Sequence, residues 1–250
     1  MRTKLIFGNW KMNKNRAEAK AFAEESIELN KFAKAHGVQI GVAPTFLHLC
    51  PVSKANPDLI VAAQNCHFEE KGAFTGEISI PMLLDLGIKW CIIGHSERRQ
   101  YFGETNEACA KKLKALFANG MTPIYCVGET LAQFEAGETK DVIKEQTLVG
   151  LSLLEKEDVK KLVIAYEPVW SIGTGKNASK EIAEDICGYI RELVREKFGD
   201  AADEVRILYG GSVKPENVKA YLSEKDVDGA LVGGASLKVE SFRQLVENIL

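Results

Sequence analysis

The sequence predicts an α/β barrel of eight strand-helix units, and three observations predict it. Short apolar segments alternate with amphipathic stretches of helical period along the whole chain, eight such segments fit into 250 residues, and polar residues able to do chemistry stand just beyond several of them. Regular alternation implies parallel strands joined by right-handed crossovers, and a length of about 250 residues is usual for the closed (β/α)8 form. An open doubly wound sheet is the second architecture, but no Gly-x-Gly-x-x-Gly follows the first strand, which weakens it. No linker, low-complexity tract or close repeat marks a second unit, so residues 1–250 are expected to form one catalytic domain.

The eight expected strands are 4–8, 38–43, 59–63, 90–94, 122–127, 162–166, 206–209 and 229–232. Expected helices between them include 16–35, 104–119, 139–154, 179–198 and 241–250, several opened by Asp, Ser or Thr caps or by proline in the first turn, as at Lys214-Pro215-Glu216. Period-two alternation places Leu5, Phe7, Asn9 and Lys11 on one face of the first segment, and Cys91, Ile93 and His95 on one face of the fourth. In the sixth, Pro168 keeps Glu167 extended, on the face of Val163 and Ala165. A carboxylate beside apolar neighbours is suited to general-base work.

In a closed barrel the loops after the strands converge on one mouth, so residues 9–11, 95–97, 167, 210–212 and 233–234 are expected to meet. Gly210-Gly211-Ser212 and Gly233-Gly234 end the seventh and eighth strands. Either alone reads as a turn. Together, bare backbone at the last two strands reads as an anion site of the phosphate type. Gly175-Lys176 is not a nucleotide loop, since Trp170 and Asn177 stand where that motif needs Gly and Ser or Thr.

Composition narrows the partners. Thirty-two Lys and Arg against 35 Asp and Glu give a net charge of -3 with no like-charge block, so nucleic acid is not expected. The apolar runs are too short to span a bilayer, and Met1-Arg2-Thr3-Lys4 leads into only three apolar residues rather than a signal core. The expected location is the cytoplasm. Six cysteines, at 50, 66, 91, 109, 126 and 187, show no Cys-x-x-Cys pair, which suggests neither a metal site nor a disulfide framework.

Asn9-Trp10-Lys11-Met12-Asn13, residues 94–99 with Tyr101-Phe102-Gly103-Glu104, and residues 165–175, 209–213 and 231–234 together resemble the triosephosphate isomerase family over essentially the whole chain. The resemblance implies a TIM barrel that interconverts dihydroxyacetone phosphate and D-glyceraldehyde 3-phosphate without metal or organic cofactor. It implies Glu167 as base, neutral His95 as hydrogen-bond donor to the developing oxyanion, Lys11 as a fixed positive charge, Asn9 as a polar contact and Glu97 as partner of Lys11. That family is itself the standing example of this base, this neutral imidazole and a closing loop. The amides of Gly173, Ser212, Gly233 and Gly234 would surround the phosphate, Gly173 arriving when the loop 168–178 closes. Within that loop, Ser171 and Asn177 depart from the family's usual Ala and Thr or Val. The long polar stretch 64–79 carries Phe74-Thr75-Gly76, which is similar to the family's interdigitating tip and implies a homodimer. Two other functions fit a phosphate-binding barrel: a Schiff-base aldolase using Lys11, and a binding barrel without chemistry.

Overall fold

The computed structural model describes residues 2–172 and 177–250. Eight parallel strands close on themselves in sequence order: β1 (Lys4–Asn9), β2 (Val38–Ala43), β3 (Ile60–Ala63), β4 (Trp90–Ile93), β5 (Thr122–Val127), β6 (Val163–Tyr166), β7 (Arg206–Tyr209) and β8 (Gly229–Val232). Closure is made by β1, which pairs with β2 on one side and β8 on the other, with Lys4 opposite Val38 and Leu5 opposite Gly229. The expected strands thus hold to within one residue at each end.

Alternation sorts the strand residues into two cores. Leu5, Phe7, Ala43, Ala62, Ile92, Ile124, Cys126, Val163, Ala165, Leu208 and Leu231 fill the barrel. Their neighbours, including Ile6, Ile40, Cys91, Ile93, Tyr125, Ile164 and Ile207, pack outward against the helices. Each fully buried aliphatic side chain contributes about 1.5–3 kcal/mol, so a shift of any strand by one residue would exchange the two sets.

The helical stretches differ in two respects from expectation. Residues 16–35 form two helices, Arg16–Glu25 and Ile27–Ala35, broken at Ser26. The Ser26 hydroxyl donates to the Ala23 carbonyl and accepts from Asn56 Nδ2 at 3.2 Å, and such bonds compete with the helix. The later helices run over Asn106–Ala118, Thr139–Gly150, Lys180–Phe198 and Val239–Glu247, with Thr105 and Ser179 as side-chain caps of the first and third. Pro215 begins a turn rather than a helix, and the helix there is Val218–Leu222. No helix among the described residues is long and apolar enough to cross a membrane.

Candidate active site

The carboxyl ends of β1, β4, β6, β7 and β8 surround a cavity of about 500 Å³ lined by Asn9, Lys11, His95, Glu167, Ser212, Gly233 and Gly234, among others. Five scattered segments therefore meet at one mouth, as barrel closure requires. Gly173 lies outside the described residues.

Glu167 leaves β6 with its amide bonded to the Val127 carbonyl at 2.8 Å, so the ladder with β5 continues one residue past the strand and holds the carboxylate inward. It follows Val163 and Ala165 onto the interior face, as alternation predicts. Gly210 makes room for it: a Cβ there would stand 2.9 Å from Glu167 Cγ. The side chain is buried, with one oxygen 3.0 Å from His95 Nε2 and the other accepting the Ser96 amide at 3.0 Å. Burial alone would raise its pKa. The hydrogen bond from His95, the Ser96 amide and the positive charge of Lys11 oppose that, and the carboxyl is held below its usual range.

His95 reaches the mouth by a different route from the expected one. Cys91 and Ile93 face the helices, and Ile92 is the residue of β4 that fills the barrel. The next residue, Gly94, has φ of +73°, which breaks the alternation and turns His95 into the site. A side chain at this φ is strained, and a Cβ would also stand 2.9 Å from Arg99 Nη2. His95 then caps the helix Ser96–Phe102, its Nδ1 accepting the Glu97 amide at 3.2 Å.

Opposed influences act on that imidazole. Burial disfavours its charged form, but the charge and hydrogen bond of Glu167, with the Glu97 carboxylate, together favour it, and on these grounds its pKa is raised. The hydrogen-bond pattern decides the proton's place. An amide N–H aimed at Nδ1 leaves no room for a proton there, so the ring is neutral and carries its one hydrogen on Nε2. That hydrogen points at Glu167, where substrate oxygen would compete for it.

Lys11 has φ of +53°, a conformation that side chains other than glycine rarely adopt. Its amide donates to Asn9 Oδ1 at 3.1 Å, and its ammonium donates to Glu97 Oε1 at 2.8 Å. Asn9 and Glu97 thus hold Lys11 at its two ends. The ion pair is partly exposed, so it sets position more than stability. An ammonium bonded to a carboxylate has no lone pair for carbonyl attack, which disfavours a Schiff-base aldolase. Sequence reading missed Gln64, whose Nε2 donates to the Lys11 and Ala43 carbonyls at 2.8 and 2.9 Å. Its only signal was its place, one residue past β3.

The other half of the cavity is bare backbone. A Cβ on Gly234 would meet nothing within 4 Å, and one on Gly233 only Lys11 Cε at 3.9 Å. Gly234–Ser236 is a 3-10 turn, and Trp10 Nε1 donates to the Ser236 carbonyl at 3.2 Å, stitching it to the Lys11 segment. Ser212 is fixed by Asn217 Nδ2 on its carbonyl at 3.1 Å. Such a surface beside a lysine accepts a compact anion.

Where the chain leaves the site after β6, Glu129 anchors it. The buried carboxylate accepts Trp170 Nε1 at 2.8 Å and the Tyr166 hydroxyl at 3.1 Å, and the Glu129 carbonyl accepts the Val169 amide at 3.0 Å. Burial raises this carboxyl's pKa. Among the described residues no group of three His, Cys, Asp or Glu side chains is placed to hold a metal.

The family model described as triosephosphate isomerase matches residues 4–249. Triosephosphate isomerase of Carboxydothermus hydrogenoformans is 53% identical over 250 residues, covering 99% of both chains. That of Clostridium perfringens is 53% identical over 98% of this chain and 99% of its own, and that of Streptococcus equi subsp. zooepidemicus 50% identical over 98% of each. With matches along its full length and a mouth built from these same segments, the chain belongs to the triosephosphate isomerase family.

Proposed function

We propose that Glu167, His95 and Lys11 carry out the isomerisation of triose phosphates that defines this family, on the interconversion of dihydroxyacetone phosphate and D-glyceraldehyde 3-phosphate. Glu167 takes a proton from the carbon beside the carbonyl and returns it to the neighbouring carbon, while the Nε2 hydrogen of His95 stabilises the oxyanion of the enediolate between them. Lys11 supplies positive charge to substrate and transition state, with Asn9 and Glu97 fixing its place. The amides of Ser212, Gly233 and Gly234 receive the phosphate, and Gly173 is assigned the same task on the family resemblance.

The observation that carries this reading is the buried Glu167 carboxylate, 3.0 Å from His95 Nε2, at the edge of a cavity with Lys11 and bare backbone opposite. In the free enzyme the two groups occupy each other. Substrate must part them, which frees the base and the donor in one movement.

A homodimer is part of the reading. Met12 and Leu47 are 93% and 83% exposed, and Phe46, Phe74, Tyr101 and Phe102 are exposed as well. A second cavity, about 240 Å³, opens between Phe46 and Phe102 onto Lys11 and His95, and a partner's Phe74-Thr75-Gly76 tip would suit it in size and character. The chain is read as one domain over residues 1–250. Six unpaired cysteines, five of them buried, fit a reducing cytoplasm.

A coupled assay of D-glyceraldehyde 3-phosphate isomerisation, run alongside uptake of solvent deuterium into substrate, tests the assignment with Glu167→Gln. The variant should bind substrate but lose on the order of 100-fold to 10,000-fold or more in turnover, with deuterium uptake falling in parallel. Near-normal turnover would remove Glu167 as the base, and binding without deuterium uptake by the unsubstituted protein would leave only a sugar-phosphate receptor.

A further inference from the structure

We propose that Gln64 is a positioning residue for the reaction, acting through the backbone of Lys11; the inference rests on the reading of Lys11 as the charge that meets the substrate. The left-handed conformation of Lys11, φ +53°, is uphill for a lysine and needs restraint on both of its peptide groups. Its amide is held by Asn9 Oδ1 at 3.1 Å. Its carbonyl is held by Gln64 Nε2 at 2.8 Å.

The remaining Nε2 hydrogen of Gln64 goes to the Ala43 carbonyl at 2.9 Å, which also accepts the Trp10 amide at 3.1 Å. Both acceptors are carbonyls, so only the NH2 end of the side chain fits between them. Gln64 therefore clamps the turn after β1 to the end of β2. Its own base is firm, since it follows β3 directly and the next residue, Asn65, accepts the buried Lys112 ammonium at 2.8 Å. Without this clamp the Lys11 carbonyl is free to rotate, the residue relaxes toward negative φ, and the ammonium leaves the mouth.

The test is a double-substitution cycle on the full chain, using Gln64→Met, which keeps length and removes both donors, and Lys11→Met. The readouts are isomerisation kinetics and affinity for glycerol 3-phosphate, the substrate skeleton without its carbonyl. Gln64→Met should lower kcat/KM by about ten- to hundredfold through misplacement of the lysine, and weaken glycerol 3-phosphate binding. In the Lys11→Met background the same change should leave that affinity unaltered, because the group it positions is gone. Circular dichroism and sedimentation identify a variant that fails to fold or assemble. Gln64→Asn, polar but too short to span both carbonyls, then takes its place with the same expected direction. Independent, multiplicative effects of the two substitutions, or kcat/KM within about twofold of the unsubstituted protein, would overturn the role of Gln64. If Lys11→Met alone leaves glycerol 3-phosphate binding unchanged, it is the reading of Lys11 that fails instead.

Discussion

Glu167 and His95 lie 3.0 Å apart in the interior of the mouth, and the pH dependence of stability tests whether the imidazole between Glu167 and the Glu97 amide is neutral. A carboxyl whose folded pKa lies below its unfolded value, about 4.3 for glutamate, contributes stability that is fully present above that value and lost as pH falls through the folded pKa. An imidazolium partner with a raised pKa would contribute stability fully present below about 6.5 and lost as pH rises through the folded value. The Glu97 amide on Nδ1 selects the first case. The stability difference between the unsubstituted protein and Glu167→Gln should therefore stay flat from about pH 5 to 8 and narrow only in more acid solution. Denaturation by urea at a series of pH values gives that difference directly. Narrowing on the alkaline side would show that the imidazolium holds the proton.

At the scale of elements, the turn after β6 is set by local bonds that leave one departure from the family pattern without large consequence. The Ser171 hydroxyl donates to the Pro168 carbonyl at 2.9 Å, and the Ser171 amide already donates to the same oxygen at 2.8 Å. A bond that doubles an existing one adds less than the usual net of about 0.5–1.5 kcal/mol. Glu129 holds the same turn through Trp170 and Val169 whatever stands at position 171. Steady-state kinetics of Ser171→Ala should show a change in turnover of less than roughly tenfold, since about 1.4 kcal/mol corresponds to that factor. A larger change would mean that the hydroxyl biases the opening and closing of the segment.

For the whole molecule, the exposed tip of the stretch 64–79 is the feature that a solitary barrel leaves unexplained. Its root is ordered by a bridge between His67 and Ser79 and by the tilted contact of the His67 and Phe74 rings, whose centroids are 4.2 Å apart. Its tip, by contrast, presents Phe74 45% exposed. An ordered loop that holds an aromatic ring out to water fits a surface that a second copy covers. Replacing Phe74 and Thr75 with glutamates should yield monomers in analytical ultracentrifugation and lower the activity, although neither residue takes part in proton transfer. A fully active dimer from this variant would rule out the tip as the contact.

The sequence by itself determined the strands, the closed barrel and the positions of Asn9, Lys11, His95, Glu167 and the terminal glycine pairs. These follow from alternation and from local chemistry, and each needs only a few neighbouring residues to be read. For β1 and β6 the alternation also carried Asn9 and Glu167 correctly to the mouth. For β4 it did not, because both faces of that strand are buried and apolar, so nothing in Trp90-Cys91-Ile92-Ile93 says which face turns inward, and the positive φ of Gly94 then reverses the parity. Only the tertiary structure decided that, together with the break at Ser26, made by a partner thirty residues away, and the grip of Gln64 on Lys11 across 53 positions. The last two share one physical reason. Local periodicity records how a segment meets the core as a whole, whereas a hydrogen bond between distant segments exists only after the barrel closes and brings its two groups to within 3 Å or so.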